Sequence, residues 1–315
     1  MKSRPRQSGV ALITAVLVVS LATIAATSVL DSGHLSVQRT ATLQDSEKAW
    51  WYAMGVEDLV RLYLKRDAED NDTDALNEAW AKPIDYLPVE QGFVSGALVD
   101  QQGLFNLNNL GVQDPELFQT YQEQFERLLS AIPDVDPFLA RPLAQAIRDW
   151  IDADQEPTVP DGAEDSEYLV LDPGYRAANQ PMQSVTELLA MRGMTREHYV
   201  RIRPFVTALP QAPSPINVNT APPEVLRSLV VNPSPGFENF LRRREQQPAE
   251  AITDLNDEGV FSPEDADSSM LTVSSRFFQM QAQATVGNGR VALYSLIFRP
   301  SSGTPIVISR NTDSE

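Results

Sequence analysis

The sequence predicts an α+β protein in which a small α/β domain, carried on a long N-terminal helix, is interrupted by a large all-α insertion. Three observations support this prediction. The chain begins with an apolar segment that continues into an amphipathic one, strand patterns follow it and return near the C-terminus, and helical patterns fill the middle. The predicted segments are a leader (1–9), a transmembrane helix (10–30), a spine helix with the first strands (31–108), an inserted α-domain (109–270) and the C-terminal strands (271–315).

The N-terminal apolar segment, residues 10–30, contains no charged residue and is long enough to span a bilayer as one helix. Lys2, Arg4 and Arg6 precede it, and Asp31 follows it. Positive charge before a membrane helix favours a cytoplasmic N-terminus. We therefore expect a single-pass protein whose larger part is exported.

The boundary between the basic start and the apolar segment, "RQSGVALIT", resembles a prepilin leader, in which a peptidase cuts after a glycine and the apolar helix is kept. Gly9 would then be the last leader residue and Val10 the first mature residue. Two alternatives remain open. A secretory signal peptide usually has a shorter apolar stretch, and residues 23–26 form a poor cleavage site, whereas a plain membrane anchor gives Gly9 no role.

Thr14 occupies the fifth mature position, where pilin-like proteins usually carry a glutamate. A glutamate inside an apolar helix needs a partner charge, often taken to be the N-terminus of a neighbouring subunit. Because threonine carries no charge, Thr14 cannot make this contact with a subunit ahead of it. The residue therefore predicts a position at the end of a filament.

Beyond the membrane segment the helix is predicted to continue to about Lys65, because Val56, Leu59 and Tyr63 recur at helical spacing. The acidic residues 67–78 then predict a solvated loop, with calcium binding as a minor alternative. Taken together, the apolar first part and the amphipathic second part indicate one continuous spine.

The remaining elements follow from turn residues and periodicity. Two short strands are predicted in residues 93–108, with turns at Gly96 and at residues 101–103. Helices are predicted in residues 114–151, in residues 184–208 and in the segments "PPEVLRSLV" and "GFENFLRRREQ". The segments "SRFFQMQAQATV", "GRVALYSLIFRP" and "TPIVISR" alternate apolar and polar residues, and "GNG" at 287–289 predicts a hairpin between the first two.

Composition limits the classes of partner. The 315-residue chain has no cysteine, which excludes thiol catalysis and means that the exported part folds without disulfides. Its formal net charge is −18 at pH 7. Such an acidic surface repels nucleic acid and anionic lipid headgroups, and it suits calcium or a basic partner surface.

No catalytic motif is visible in the sequence. His34 and His198 lie outside metal-binding and catalytic-triad patterns, and GxSxG, phosphate-loop and HExxH motifs are absent. Among 43 acidic residues, two carboxylates close in sequence do not indicate a glycosidase. We therefore predict a protein that is not an enzyme. A calcium-dependent envelope hydrolase is an alternative that lacks a recognisable catalytic set.

A run of carboxylates between residues 149 and 167 is the strongest candidate binding site. It contains eight acidic side chains, Asp149, Asp152, Asp154, Glu156, Asp161, Glu164, Asp165 and Glu167. The alternation in "DADQE" resembles the opening of a calcium loop, although Pro157 at the sixth position excludes an EF-hand. A solvated acidic loop is the alternative. The apolar flanks "WI" and "YLVL" favour calcium.

Residues 215–255 resemble a helix–hairpin–helix module, in which "INxNTA" caps the first helix and a glycine-rich hairpin holds a DNA phosphate. Asn219 or Thr220 is predicted to supply the cap. In the hairpin "SPGFEN", Phe237 and Glu238 replace the second glycine, adding bulk and negative charge. We therefore predict a packing unit. DNA binding is the alternative.

Several motifs together resemble the K-type minor pseudopilin family of type II secretion: "GVALIT" without the fifth-position glutamate, "FNLNNL", "WIDADQEP" with "DGAEDSEY", "YRAANQPMQSVTELLAMRGM" and "INVNTAPPEVL". The resemblance covers nearly the whole chain. It implies a pilin-like α/β domain with an inserted SAM-like or helix–hairpin–helix-like α-domain. It also implies a subunit at the tip of the pseudopilus that supports export of folded proteins across the outer membrane.

The resemblance further implies partners, location and site residues. The implied partners are I-type and J-type minor pseudopilins, the major pseudopilin, a prepilin peptidase and the inner-membrane assembly platform, with no nucleic acid. The implied location is the bacterial inner membrane with a periplasmic C-terminal domain. Cleavage after Gly9, N-methylation of Val10 and calcium in the α-domain also follow from it. The candidate calcium ligands are Asp152, Asp154, Glu156, Glu164, Asp165 and, in addition, Asn179. The alternative function is a membrane-anchored helix–hairpin–helix protein that binds DNA during uptake.

Overall fold

The computed structural model describes residues 8–262 and 265–312, so most of the predicted leader lies outside the described residues. The helices are α1 (Ser8–Asp70), α2 (Pro115–Ala131), α3 (Ala140–Ile151), α4 (Asp165–Tyr168), α5 (Arg196–Ile202), α6 (Pro223–Ser228), α7 (Pro235–Arg243) and α8 (Ile252–Asp257). Short 3-10 helices lie at Leu107–Gly111, Pro137–Leu139, Val185–Ala190, Arg203–Phe205 and Ser268–Met270. The strands are β1 (Ile84–Val89), β2 (Gly92–Asp100), β3 (Phe105–Asn106), β4 (Val206–Thr207), β5 (Ile216–Asn217), β6 (Leu271–Thr272), β7 (Phe277–Val286), β8 (Gly289–Phe298) and β9 (Ile306–Asn311).

Helix α1 is a single rod of 63 residues, about 95 Å long at 1.5 Å per residue. Its N-terminal part is apolar enough to cross a membrane, with a mean hydropathy of 2.4, and none of that stretch is buried in the fold. The helix ends at Asp70, beyond the predicted end at Lys65. The residues beyond Lys65 include Asp67, whose pairing with Arg299 ties the end of the helix to the residue that follows β8.

The C-terminal half of α1 packs on a five-stranded antiparallel sheet of order β1-β2-β7-β8-β9. Side chains alternate along β7 and β8, so every second residue faces the helix. Ala282, Ala284, Leu293 and Ile297 are buried there with the small Ala53 of α1. The predicted C-terminal strands and the "GNG" hairpin are confirmed.

The α-helical block lies between β2 and β7, which are neighbours in the sheet. It has its own core, built by buried side chains of α2, α3, α6, α7 and the loops between them, including Phe105, Phe125, Leu143, Phe237 and Phe240. Two short parallel pairings, β3 with β4 and β5 with β6, close the block at its base. The predicted fold class, an α/β domain with a large inserted α-domain, is confirmed.

The insertion leaves the sheet at the end that lies away from the membrane segment. Asp45, nearer that segment, accepts a hydrogen bond from the Asn288 backbone N–H at 3.0 Å in the β7–β8 turn. Asp67, near the end of α1, pairs at 3.0 Å with Arg299, which follows β8. Asp100, at the end of β2, lies in the same membrane-distal region, because its pairing partner is at the start of β7.

Two local predictions are wrong. Gly96 lies inside β2 and not in a turn: a Cβ there would lie 2.7 Å from the Gln281 carbonyl oxygen, so glycine allows close approach of β7. The hairpin turn lies instead between β1 and β2 at Gln91, which has φ 64°. Asn219 and Thr220 do not cap α6, which begins after Pro222 without a side-chain cap, because both side chains bond elsewhere.

The prediction of a solvated loop at residues 67–78 holds only in part: Asp70 and Asp72 are exposed, but residues 67–70 belong to α1 and the carboxylates of Asp67, Asp74 and Glu78 turn inward. Asp74 is 1% exposed and pairs with Arg299, which also bonds Asp67 at 3.0 Å. Burial, then the nearby charge of Asp67, raises the pKa of Glu78 to about 7. These carboxylates form, with Arg299, a charge network that joins the end of α1 to the end of β8.

Glu57 of α1 is a carboxylate buried between the helix and the sheet. Arg310 donates to its two oxygens through Nε and Nη2, both at 2.8 Å, and the Ser295 hydroxyl donates at 2.6 Å. Burial raises the pKa of Glu57, but the bonds from Arg310 and Ser295 outweigh burial and hold the pKa below its ordinary value. Ionised Glu57 therefore stabilises the folded state.

We predict that Glu57→Gln lowers the free energy of unfolding at pH 7 by about 2 kcal/mol, the scale of a hydrogen bond to a charged group. Because the folded-state pKa is lowered, this contribution is present above the pKa of the unfolded chain and is lost as the pH falls through the folded pKa. Urea unfolding in detergent should therefore show a deficit that shrinks below about pH 4.

Asp58→Asn is the matched control for this measurement. Asp58 is an exposed neighbour of Glu57, and it pairs with Arg61 at 3.0 Å on the helix surface. Removing a surface pair should change the free energy by less than about 1 kcal/mol. Equal losses in the two variants, or a Glu57→Gln deficit unchanged at pH 3, would contradict this account.

Candidate metal centre in the inserted domain

The candidate site is a loop that connects two helices of the inserted domain. Helix α3 ends at Ile151, and Asp152 is its C-cap residue, with its N–H donating to the Arg148 carbonyl at 2.9 Å. The chain then returns, and Glu164 is the N-cap residue of α4. Asp152 and Glu164 therefore stand at the two ends of one loop, where helix ends fix the backbone.

Three of the predicted carboxylates converge. Asp152, Asp154 and Glu164 each offer an oxygen, and these oxygens all lie within 4.8 Å of one another. Asp154 is exposed, Asp152 is half-buried and Glu164 is 2% exposed. Within the described residues, Asp152 Oδ1 and both oxygens of Glu164 are buried and accept no hydrogen bond. Such oxygens are costly unless a cation or water satisfies them.

The electrostatics of this group show the same crowding. Burial, then the charges of Asp154 and Asp149, raises the pKa of Asp152 to about 6. Burial, then the charges of Asp149 and Asp152, raises the pKa of Glu164 to about 7. Each carboxylate therefore disfavours the ionisation of the others, and a bound cation would reverse this penalty.

A buried neutral oxygen also lies in the segment that is bonded to the end of α3. Asn179 adopts a left-handed backbone conformation with φ 49°, and its N–H donates to the Trp150 carbonyl at 2.9 Å. This bond holds Asn179 against the end of α3, two residues before Asp152. Its Oδ1 is buried and accepts no hydrogen bond from the described residues. Carboxylate and amide oxygens are the donors that a hard divalent cation such as calcium prefers, so the donor set fits calcium.

The other two predicted ligands have different surroundings. Asp165 Oδ1 accepts the Ala177 N–H at 3.0 Å, and Asp165 Oδ2 lies 3.7 Å from Arg176 Nε. Asp165 therefore holds the segment that leads to Asn179. Glu156 is exposed, and its N–H donates to Asp154 Oδ1 at 2.9 Å. Neither residue belongs to the group of three converging carboxylates.

Asp149 is a residue whose role the sequence did not reveal. It is completely buried, and it accepts hydrogen bonds from the Thr158 hydroxyl at 2.5 Å and from the Thr158 N–H at 3.1 Å. A side chain at Gly162 would overlap Asp149 Oδ2, so glycine is needed where the loop passes. Asp149 thus fixes the middle of the loop whose ends carry Asp152 and Glu164. The glycine in the loop that passes this aspartate is the sequence signal that could have identified the role of Asp149.

Aromatic side chains pack between the two helices whose ends carry the site. Trp150 and Tyr168 meet edge to face at 5.4 Å, and Tyr168 stacks on Tyr175 at 5.4 Å. Trp150 also donates through Nε1 to Glu187 Oε2 at 2.9 Å. These contacts hold the end of α3 against α4, so the loop ends are fixed by packing as well as by helix termini.

The helix–hairpin–helix-like segment is used for packing. A Cβ at Gly236 would lie 2.7 Å from the Gly259 carbonyl oxygen, so the hairpin backbone lies against the loop after α8. Arg243 pairs with Glu258, and buried Arg244 donates to the Val218 carbonyl at 3.1 Å. These contacts occupy groups that phosphate binding would need, and the DNA-binding alternative is not supported.

Known proteins resemble this chain in sequence. The family model described as "Type II secretion system (T2SS), protein K" matches residues 103–211. Type II secretion system protein K of Pseudomonas aeruginosa is 32% identical over 315 residues, which cover 98% of this chain and 93% of that protein. Type II secretion system protein K of Aeromonas hydrophila is 33% identical over 335 residues, which cover 98% of each chain.

A solved structure resembles it in fold. The crystal structure of the GspK-GspI-GspJ complex from enterotoxigenic Escherichia coli contains a chain with 27% sequence identity and a TM-score of 0.75. The match covers 88% of this chain and 100% of that chain. The similarity thus extends over the spine, the sheet and the insertion together. The chain belongs to the type II secretion system protein K family and is a minor pseudopilin.

Proposed function

We propose that this chain is the subunit at the tip of the type II secretion pseudopilus and that it supports export of folded proteins across the outer membrane as a structural component, without enzymatic activity. In this proposal it assembles with I-type and J-type minor pseudopilins above the major pseudopilin. The complex named for GspK, GspI and GspJ supports the choice of partners. The first observation that supports the tip position is the hydrogen bonding of the Thr14 side chain within its own helix.

The Thr14 side chain is satisfied within its own helix. Its hydroxyl lies 3.1 Å from the Val10 carbonyl oxygen and 3.0 Å from that of Ala11. A hydroxyl bonded in this way needs no partner from another subunit, unlike an ionised glutamate in an apolar environment. The helix can therefore lie in the membrane with no subunit ahead of it.

The position of the insertion supports the same conclusion. It is attached at the membrane-distal end of the sheet, through the segments that follow Asp100 and precede Phe277. A further subunit stacked on this end would meet the inserted domain. Two independent features, one in the membrane segment and one at the opposite end, thus suit an end position.

The proposal includes processing and location. A prepilin peptidase cleaves after Gly9, Val10 is N-methylated, and the inner-membrane assembly platform takes up the mature helix. The single apolar helix suits a bacterial inner-membrane anchor. Lys2, Arg4 and Arg6 favour a cytoplasmic N-terminus and a periplasmic C-terminal domain.

We also propose that the inserted domain binds calcium through Asp152, Asp154 and Glu164, with Asn179 as a neutral ligand. The buried oxygens without hydrogen bonds support this assignment. When bound, the cation would cross-link the two ends of the loop and cancel the repulsion among the carboxylates. In this assignment Asp149 and Asp165 position the loop and the segment carrying Asn179.

The first prediction concerns processing. Gly9→Val should block cleavage, because a side chain there crowds the peptidase at the scissile bond. Mass spectrometry of the mature wild-type N-terminus should show methylated Val10. A mature protein that starts near Ala26 would indicate an ordinary signal peptide and would contradict the pilin-type pathway.

The second prediction concerns Thr14. Thr14→Glu should give no gain in secretion, because a tip subunit has no neighbour ahead that could supply the partner charge. Thr14→Ser, which keeps the hydroxyl, is the matched control. If Thr14→Glu raised secretion or produced long filaments of this protein alone, the tip assignment would be wrong.

The third prediction concerns calcium. A ligand that binds only the folded state adds about 2.7 kcal/mol of stability at 100 times its Kd. The full-length protein in detergent should therefore melt at a higher temperature in calcium than in chelator, and magnesium should help less because it holds its waters. Glu164→Gln should abolish most of the calcium effect, yet it should melt above wild type in chelator, because it removes a crowded buried charge.

The control for calcium is the double variant Asp70→Asn with Asp72→Asn, which removes two exposed charges outside the site. It should respond to calcium as wild type does. Coincident melting curves of the wild type in calcium and in chelator would remove the metal from this proposal. Full calcium stabilisation of Glu164→Gln would show that the ion binds elsewhere.

A further inference from the structure

The "INVNTA" motif lies at the boundary between the inserted domain and the pilin-like domain, and no function described above uses it. Asn217 is completely buried, and its Nδ2 lies within hydrogen-bond distance of three oxygens: Asp100 Oδ2 at 3.1 Å, the Asp74 carbonyl at 3.1 Å and Ser275 Oγ at 2.8 Å. None of these three partners belongs to the helical core of the inserted domain. Asp74 follows α1, Asp100 ends β2 and Ser275 precedes β7.

Asp100 is the common acceptor of this boundary. Besides Asn217, its Oδ2 accepts the Thr220 hydroxyl at 2.6 Å and the Ser275 hydroxyl at 2.5 Å. Asp100 is 5% exposed, so bulk water does not compete for these bonds. One carboxylate oxygen therefore joins two residues of the inserted domain to the segment by which the chain returns to the sheet.

The network continues into the pilin-like domain through a charged pair. The Ser275 N–H donates to Asp74 Oδ2, at 2.6 Å, and Asp74 pairs with Arg299. Arg299 also bonds Asp67 of α1 at 3.0 Å. A continuous chain of buried contacts thus runs from Asn217 to the spine helix.

The backbone is shaped to permit these contacts. A Cβ at Gly103 would lie 2.7 Å from Thr220 Oγ1, so only glycine lets the chain leaving β2 pass beside that side chain. Gln102 adds bonds in both directions: its carbonyl accepts the Asn217 N–H at 2.8 Å, and its Oε1 accepts the Arg276 N–H at 2.5 Å. The boundary is therefore packed and bonded, unlike a flexible linker.

We propose that Asn217 and Thr220 are positioning residues that fix the orientation of the inserted domain on the spine through Asp100, Asp74 and Arg299. In helix–hairpin–helix modules this motif caps a helix and presents backbone groups to DNA. Here its side chains hold two domains in a fixed relative orientation. The inserted domain then moves as one body with α1, and a displacement of the spine along its axis is transmitted to the insertion without bending at the connections.

The test measures domain orientation directly in the full-length protein in detergent. The chain has no cysteine, so spin labels can be placed at Thr253→Cys in α8 and Arg290→Cys in β8, both exposed positions on opposite sides of the boundary. The unaltered boundary should give one narrow distance distribution. Asn217→Asp should abolish the narrow peak, because it places a second carboxylate beside Asp100 Oδ2 and removes the donor.

Asn219→Asp is the matched control, since Asn219 belongs to the same motif and is equally buried, but bonds Ala249 within the inserted domain. It should keep the narrow distribution even though it destabilises the inserted domain. Hydrogen exchange of α2 and of β7 in each variant verifies that both domains remain folded. A role in stability alone would lower protection without broadening the distance distribution.

Two results would overturn the proposal. One is an unchanged narrow distribution in Asn217→Asp with both domains protected. The other is equal broadening in Asn219→Asp and Asn217→Asp. If Asn217→Asp does not fold, Thr220→Val decides instead: it removes one donor to Asp100 at nearly constant volume, and it should broaden the distribution partially. A narrow distance distribution in Thr220→Val would then contradict the proposal that these residues fix the domain orientation.

Discussion

The antiparallel pairing of β2 with β7 is the constraint on which the rest of the structure depends. Nine residue pairs join these strands, from Gly92 with Val286 to Asp100 with Phe278. Because the two ends of the insertion must meet at one place in the sheet, the inserted chain has to build a separate core and return to its starting point. The entropic cost of closing a long loop grows only slowly with its length. A sheet of ordinary size can therefore carry an insertion larger than itself.

Buried carboxylates distinguish the structural parts of the molecule from the candidate site. Glu57 pairs with Arg310 and Asp74 with Arg299, whereas Asp100 accepts hydrogen bonds from uncharged hydroxyl and amide donors. Burying a charge is tolerable only with such partners. Glu164 is equally buried, yet both of its oxygens lack a hydrogen bond among the described residues. Glu164 therefore lacks the kind of partner that the first three carboxylates have, and this lack is the physical basis of the calcium proposal.

Local sequence patterns predicted the fold well. Features that depend on contacts between residues far apart in sequence could not be predicted from them. The helices and C-terminal strands follow from periodicity, and "DADQE" identified two of the three converging carboxylates. Glycine residues were ambiguous signals. Gly96 was predicted to form a turn, but it lies inside β2 and allows the close approach of β7. Asp67 and Asp74 were wrongly predicted to be solvated, because Arg299, 232 positions after Asp67, supplies their counter-charge. Asp165 adjoins Glu164 but faces Ala177, and sequence spacing at a helix start does not fix which neighbour points inward.

The two features that separate this chain from a repeating filament subunit lie at opposite ends of α1, and neither is sufficient alone. Thr14 removes the charge that would bind a subunit ahead, but a subunit could still pack there through apolar contacts. The insertion occupies space at the membrane-distal end, but a flexible insertion could swing aside. The buried contacts from Asn217 through Asp100 and Asp74 to Arg299 argue against such movement, because each bond lost would leave a polar group unpaired in the interior. The inserted domain blocks stacking at the membrane-distal end, and Thr14 lacks the charge that would bind a subunit ahead. Both features suit a position at the end of the filament.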